Sequence, residues 1–121
     1  MTGSEKIRRM QIALEYGGNA FSVSDIIELL HAGKAKLVEN DDGCMILELH
    51  KFPQFTAVHL WLLFGTIPAV LALEDEAIAW GLENGASVAT AVGRPGWGKV
   101  SAPRGWVVTP NMVHHHKVLP R

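Results

Sequence analysis

The stretch Thr56-Ala57-Val58-His59-Leu60-Trp61-Leu62-Leu63-Phe64 carries apolar side chains at odd and even positions alike, and it runs directly into Gly65 and Pro68. Successive side chains of a strand point to opposite faces, so a strand that is apolar in both registers is buried on both. Only a sheet covered by helices on either side offers such a place. This element implies an α/β sandwich with residues 56–64 at its centre. The run 57–70 is broken by His59, Gly65, Thr66 and Pro68, which is too interrupted for a helix crossing a bilayer. At 121 residues the chain forms one domain, 1–121, long enough to bury a core around that strand.

The flanking segments supply the remaining layers. Ser4 is placed to cap a first helix whose apolar residues Ile7, Met10, Ala13 and Leu14 recur at helical spacing, with Arg8, Arg9 and Glu15 outward and Gly17-Gly18 as the stop. Ser24 is placed to cap a second helix over 25–31, in which Ile26, Ile27, Leu29 and Leu30 form the apolar face and Gly33 the end. Lys36-Leu37-Val38-Glu39 and the strand from Cys44 to His50 flank Asn40-Asp41-Asp42-Gly43, a hairpin loop of residues that tolerate left-handed backbone angles. After Pro68 the spacing predicts a helix over 70–84, with Val70, Leu71, Leu73, Ala77, Ile78 and Trp80 inward and Glu74, Asp75, Glu76 and Glu83 in solvent. A strand over 87–92 follows, and the helix between it and 56–64 implies a parallel pair with a right-handed crossover. Trp106-Val107-Val108-Thr109 and His115-His116-Lys117-Val118-Leu119 read as a terminal hairpin around Pro110-Asn111.

Charge and cysteine content narrow the function classes. With 11 basic and 12 acidic residues the net charge is −1, which leaves no overall electrostatic footprint for nucleic acid. Lys99, Arg104, Lys117 and Arg121 read as a solvated rim. The lone Cys44 lies in an apolar run and reads as a core residue. The N-terminal segment has no apolar signal-peptide core, and a cytoplasmic site of synthesis is expected. His114-His115-His116 would place only His114 and His116 on one strand face, too few ligands for a dedicated metal site. A composition 48% hydrophobic and 19% charged leaves room for a buried interface.

The C-terminal order of helix, strand, turn, short helix and strand carries Val92-Gly93-Arg94-Pro95-Gly96-Trp97-Gly98-Lys99 and Arg104-Gly105-Trp106. This arrangement resembles the C-terminal half of the GNAT N-acetyltransferase fold, and more narrowly looks like the small GNAT-like proteins of tailed-phage genomes, which include podoviral internal virion proteins. The resemblance implies an α/β (α+β) architecture, a mixed, twisted central β-sheet flanked by helices on both faces. It also implies acetyl-CoA at the loop after the central strand, with Phe64, Gly65, Thr66 and Ala69 as the cofactor-binding residues if that ligand binds. The matching segment, Gly65-Thr66-Ile67-Pro68-Ala69-Val70, departs from the family pattern. It holds one glycine and no basic residue, and its proline removes a backbone donor from the phosphate cradle. The family's general acid is a tyrosine on the short helix, where this chain has Trp97; its single tyrosine is Tyr16.

Base candidates are Glu48, His50 and His59, of which Glu48 and His59 carry the catalytic reading. The structural reading instead makes His59 a hydrogen-bonded buried histidine and turns Glu48 to solvent. Arg94 and Trp97 read either as a grip on a partner or anion, or as a turn tied by the arginine and plugged by the indole. The resemblance implies a phage-encoded protein of the host bacterial cytoplasm or the virion, and the departures favour a non-catalytic structural or interaction role for it. Its partner would be a virion or host protein or a second copy, without cofactor or nucleic acid. The alternative is a divergent acyl-CoA-dependent N-acetyltransferase acting on an amine.

Overall fold

The computed structural model describes residues 1–92, 97–108 and 117–120. The first two helices are capped two residues earlier than expected. Helix α1, Gly3–Tyr16, is capped by Thr2, whose hydroxyl accepts the Glu5 amide at 3.1 Å, and Ser4 falls inside the first turn. Helix α2, Val23–His31, is capped by Ser22 instead of Ser24 because Asp25 completes a reciprocal box: Ser22 Oγ accepts the Asp25 amide at 3.2 Å and the Asp25 carboxylate accepts the Ser22 amide at 2.8 Å. The bonds from the Ser22 backbone and then its side chain hold the Asp25 carboxyl below its ordinary value.

The chain then enters the sheet. Strands β1 (Lys36–Glu39) and β3 (Thr56–Gly65) both pair antiparallel with β2 (Gly43–Lys51) between them, helix α3 (Ile67–Glu83) crosses over, and β4 (Val88–Ala91) returns parallel to β3. The spatial order is β1-β2-β3-β4, so β3 is interior, as its doubly apolar sequence requires. On one face α3 brings Val70, Leu73 and Ala77 against Val38, Met45, Leu47, Val58 and Leu60. On the other, Met10 and Leu14 of α1 and Ile26 of α2 cover Cys44, Ile46, Leu62 and Phe64. Full burial of side chains such as Ile26, Ile46 and Leu47 contributes roughly 1.5–3 kcal/mol each. Gly81 lets α3 lie close to the sheet: a Cβ there would stand 2.7 Å from Val58 Cγ1. Cys44 is in this core, and burial pushes its thiol up to about 12.

Two expectations are overturned. Glu74 is not a solvent residue of α3 but lies on its buried strip, where it accepts Arg104 Nε at 3.1 Å and Trp106 Nε1 at 2.8 Å. Arg104 also donates to the Leu71 carbonyl at 3.3 Å. Residues 106–108 form no strand, since Trp106 is held to α3 by its side chain, and 117–119 form none either. Between α3 and this tie lie helix α4 (Gly98–Ser101) and a 3-10 turn, Ala102–Arg104. Arg94, Thr109 and His114 to His116 lie outside the described residues.

Candidate functional site

The site begins with an irregularity in β3. Ile46 pairs with Leu62 while the next residue, Leu47, pairs with Leu60, so Trp61 is an extra residue bulged out of the β2–β3 ladder. Trp61 and Leu62 consequently both pack toward the α1/α2 face, and Phe21 meets the Trp61 ring edge-on at 4.8 Å. The described pairing of β3 with β4 ends at the same level, at Leu60 and Ala91. Beyond it, among the described residues, the edge of β3 from Trp61 to Gly65 has no β4 residue paired with it.

A groove of about 630 Å³ adjoins that opened edge. Leu63, Phe64 and Gly65 line it from β3, Trp97 from the turn before α4, and Arg8, Arg9 and Ile12 from α1. Trp97 is half-buried and also packs on the core beneath α3. Both arginines are exposed, whereas Lys6 nearby is engaged by the Glu39 carboxylate at 3.1 Å and the Asn40 carbonyl at 2.9 Å.

The turn into α3 is largely committed within the chain. Thr66 donates its amide to the Asp42 carbonyl at 3.0 Å, and its hydroxyl caps the Ala69 amide at 3.3 Å. The Val70 amide goes to the Thr66 carbonyl, and Pro68 has no N–H. Among the described residues of this turn, the Ile67 amide is the donor left over. Gly65 adopts φ 125° and packs its Cα against the Asp42 carbonyl, so its glycine serves the contact with the hairpin loop. Of the four residues assigned to the cofactor, Phe64 and Gly65 therefore line the groove, while Thr66 and Ala69 are used in capping the helix.

The base candidates come together elsewhere on the sheet. Glu48 and His59 are direct cross-strand partners, and His50 stacks on His59 with ring centroids 4.6 Å apart. His50 Nε2 lies 3.4 Å from Glu48 Oε1, and His59 Nδ1 lies 2.8 Å from Thr90 Oγ1 on β4. Burial, and then the neighbouring His50, lowers the His59 pKa below its ordinary value, partly opposed by Glu48. His59 is thus a neutral, half-buried, oriented imidazole at neutral pH.

Solved structures with the same arrangement include a probable acetyltransferase, with a TM-score of 0.69 at 11% identity over 98% of this chain and 92% of that one. A putative acetyl transferase from Pyrococcus furiosus matches with a TM-score of 0.64 at 15% identity, covering 96% of this chain and 94% of that chain. An aminoglycoside N-acetyltransferase, AAC(6')-Iy, in complex with CoA matches at 0.64 and 14% identity over 98% and 97% of the two chains. The chain has the GNAT fold. No protein-family model matches the sequence, and no curated protein matches it.

Within the GNAT fold the phosphate site expected from the sequence is the β3–α3 turn alone, which holds no basic residue. The arginines that reach the groove come from α1, more than fifty positions earlier. Their one local signal is that Arg8 and Ile12 lie a turn apart on one helical strip, which does not say what the strip faces. Among the described residues, no group of three His, Cys, Asp or Glu is arranged to hold a metal ion, and no helix is long and apolar enough to cross a membrane.

Proposed function

We propose that the chain binds an acyl-CoA along the opened edge of β3 and transfers the acyl group to an amine. The observation that carries this reading is the coincidence, at one level of the sheet, of the Trp61 bulge with the end of the β4 pairing. Past that level no described residue of β4 pairs with β3, and an extended amide-bearing chain can take the place of a strand there. The turn into α3 lacks the amides for a full phosphate cradle. Arg8 and Arg9 supply the positive charge instead, with guanidinium forks suited to phosphate oxygens.

When bound, the thioester supplies an activated acyl carbon. His59 takes the proton: with Nδ1–H donating to Thr90 Oγ1, Nε2 carries the lone pair that accepts a proton from the incoming amine. The new C–N bond forms as the C–S bond breaks, and the departing sulfur takes its proton from solvent, because position 97 holds an indole with no acidic proton to give. Thr90 acts as a positioning residue for the imidazole. Glu48 stands opposite His59 and favours its protonated form.

The filled turn at the start of α3 favours a second reading, the non-catalytic partner-binding role, and one titration separates the two. Calorimetry with CoA should give a Kd of about 10 μM or tighter, near −7 kcal/mol, and Arg8→Gln with Arg9→Gln should weaken it by about tenfold or more. Absence of heat and of thermal stabilisation at millimolar CoA would remove the acyltransferase reading and leave the partner-binding one.

A further inference from the structure

The part of the α1/α2 face that lies beyond those helices carries a row of rings. Phe55 and Phe52 sit at the turn between β2 and β3, with centroids 5.3 Å apart, in a turn closed by the Phe52 amide on the Phe55 carbonyl at 2.8 Å. Phe52 meets His50 edge-on at 6.2 Å, and His50 stacks on His59 at 4.6 Å. The phenyl rings are exposed, Phe52 at 50% and Phe55 at 39%, and the row ends at the Thr90 hydroxyl. Glu48 lies beside the two imidazoles with its side chain 28% exposed.

We infer that this row binds the acceptor amine as an ammonium ion attached to an aromatic or comparably bulky apolar body. The inference rests on the acyltransferase reading above and assigns its second substrate a chemical class. Three features of the row select that class. Aromatic rings attract a cation and bury an apolar body, and Phe52 and Phe55 are both exposed with centroids 5.3 Å apart. The Glu48 carboxylate supplies the opposite charge at the imidazole end, so an amine lying along the row points its nitrogen at Glu48 and His59. His59 is held neutral by burial, and then by the His50 ring stacked on it, so it does not repel a cation at neutral pH. The ammonium can then lose one proton to His59 Nε2 where it lies, and the second proton set free as the amide forms leaves to solvent. An anionic or purely polar acceptor would leave the phenyl rings uncovered and face Glu48 unfavourably.

The probe is 2-phenylethylamine, compared with 2-phenylethanol, which keeps the ring and loses the charge, and ethylamine, which keeps the charge and loses the ring. Binding is read without turnover from the imidazole NMR signals of His50 and His59, assigned with His50→Gln and His59→Gln. The expected result is a saturable shift of both signals with 2-phenylethylamine and binding weaker by about tenfold or more for each comparison compound. Glu48→Gln should bring 2-phenylethylamine down to the level of the alcohol, and Phe52→Ala, an exposed position, should weaken it while leaving the denaturant midpoint unchanged. Equal binding of amine and alcohol, an unchanged affinity in Glu48→Gln, or no shift of either imidazole would overturn the inference. CoA titration of the same samples reports on the groove separately. Amine binding without CoA binding supports the amine site and removes the acyltransferase reading, and CoA binding without amine binding removes the amine site alone.

Discussion

Replacing Trp106 with phenylalanine tests how the segment after α4 is held. The indole Nε1 donates to Glu74 Oε1 at 2.8 Å, and phenylalanine keeps a ring against α3 but has no donor. The Glu74 side chain is only 11% exposed, so water cannot fully replace the lost partner. A hydrogen bond to a charged group contributes roughly 1.5–3 kcal/mol to stability. At roughly 2.1 cal/mol/K of unfolding entropy per residue, a chain of 121 residues carries about 250 cal/mol/K. A loss of about 2 kcal/mol therefore lowers Tm by about 8 °C. The other arm of the tie is weaker: the Arg104 side chain is 35% exposed and screened, so Arg104→Gln should cost only about 0.5–1 kcal/mol. Thermal and urea melts followed by far-ultraviolet circular dichroism measure both, and a cycle with Glu74→Gln isolates the coupling. A Trp106→Phe protein melting within about 1 °C of the parent would refute this account of Glu74. Because α4 joins this tie to Trp97 in the groove wall, the variant should also weaken CoA binding.

His59 has a folded pKa below 6.5, so its stabilising contribution is present above that value and declines as pH falls through it, where the unfolded chain binds a proton that the folded chain does not. Denaturant midpoints compared at about pH 7.5 and pH 5.5 should fall more for the parent than for His59→Gln, and equal declines would contradict the assignment. Gly65→Ala would place a Cβ on the Asp42 carbonyl at φ 125°, and should cost roughly 2 kcal/mol or more or prevent folding; a fully stable variant in urea melts would show that the hairpin loop does not pack there.

The sheet was legible because its signals are local or periodic. The doubly apolar 56–64 run, the Asn40 to Gly43 loop and the helix between two strands each specify a placement without knowledge of distant residues. The misplaced caps were legible too: Ser22 is followed three residues later by Asp25, which closes the box, and Ser24 has no such partner. Glu74 was misread through its acidic neighbours Asp75 and Glu76, although it lies four residues after Val70 and three before Ala77, on the buried strip. What justifies a carboxylate there, Arg104 and Trp106, arrives some thirty residues later, and no periodicity within α3 can report it. Trp106-Val107-Val108 has a strand's composition, but its anchor is a side-chain hydrogen bond, which composition does not encode. The bulge was hidden for a similar reason: in a strand apolar on both faces, an extra residue leaves no break in the hydrophobic pattern.

Where β4 stops at Ala91 and β3 runs on to Gly65, the sheet has, among the described residues, an edge that does not face the outside. Unpaired edges on the rim of a sheet invite other proteins to add a strand, and chains commonly blunt them with charge or brevity; β1 and β4, the outer strands, are both short. The interrupted edge of β3 is instead recessed, with Ile12 and Ala13 of α1 along one side and Trp97 along the other. A neighbouring polypeptide would need room for side chains on both faces of the strand it added, and α1 and the indole occupy that room. A slim, unbranched chain needs little more than one inter-strand spacing, about 4.8 Å. The recess thus sorts its visitors by girth, and the fold keeps hydrogen-bonding capacity in its interior without exposing it to aggregation.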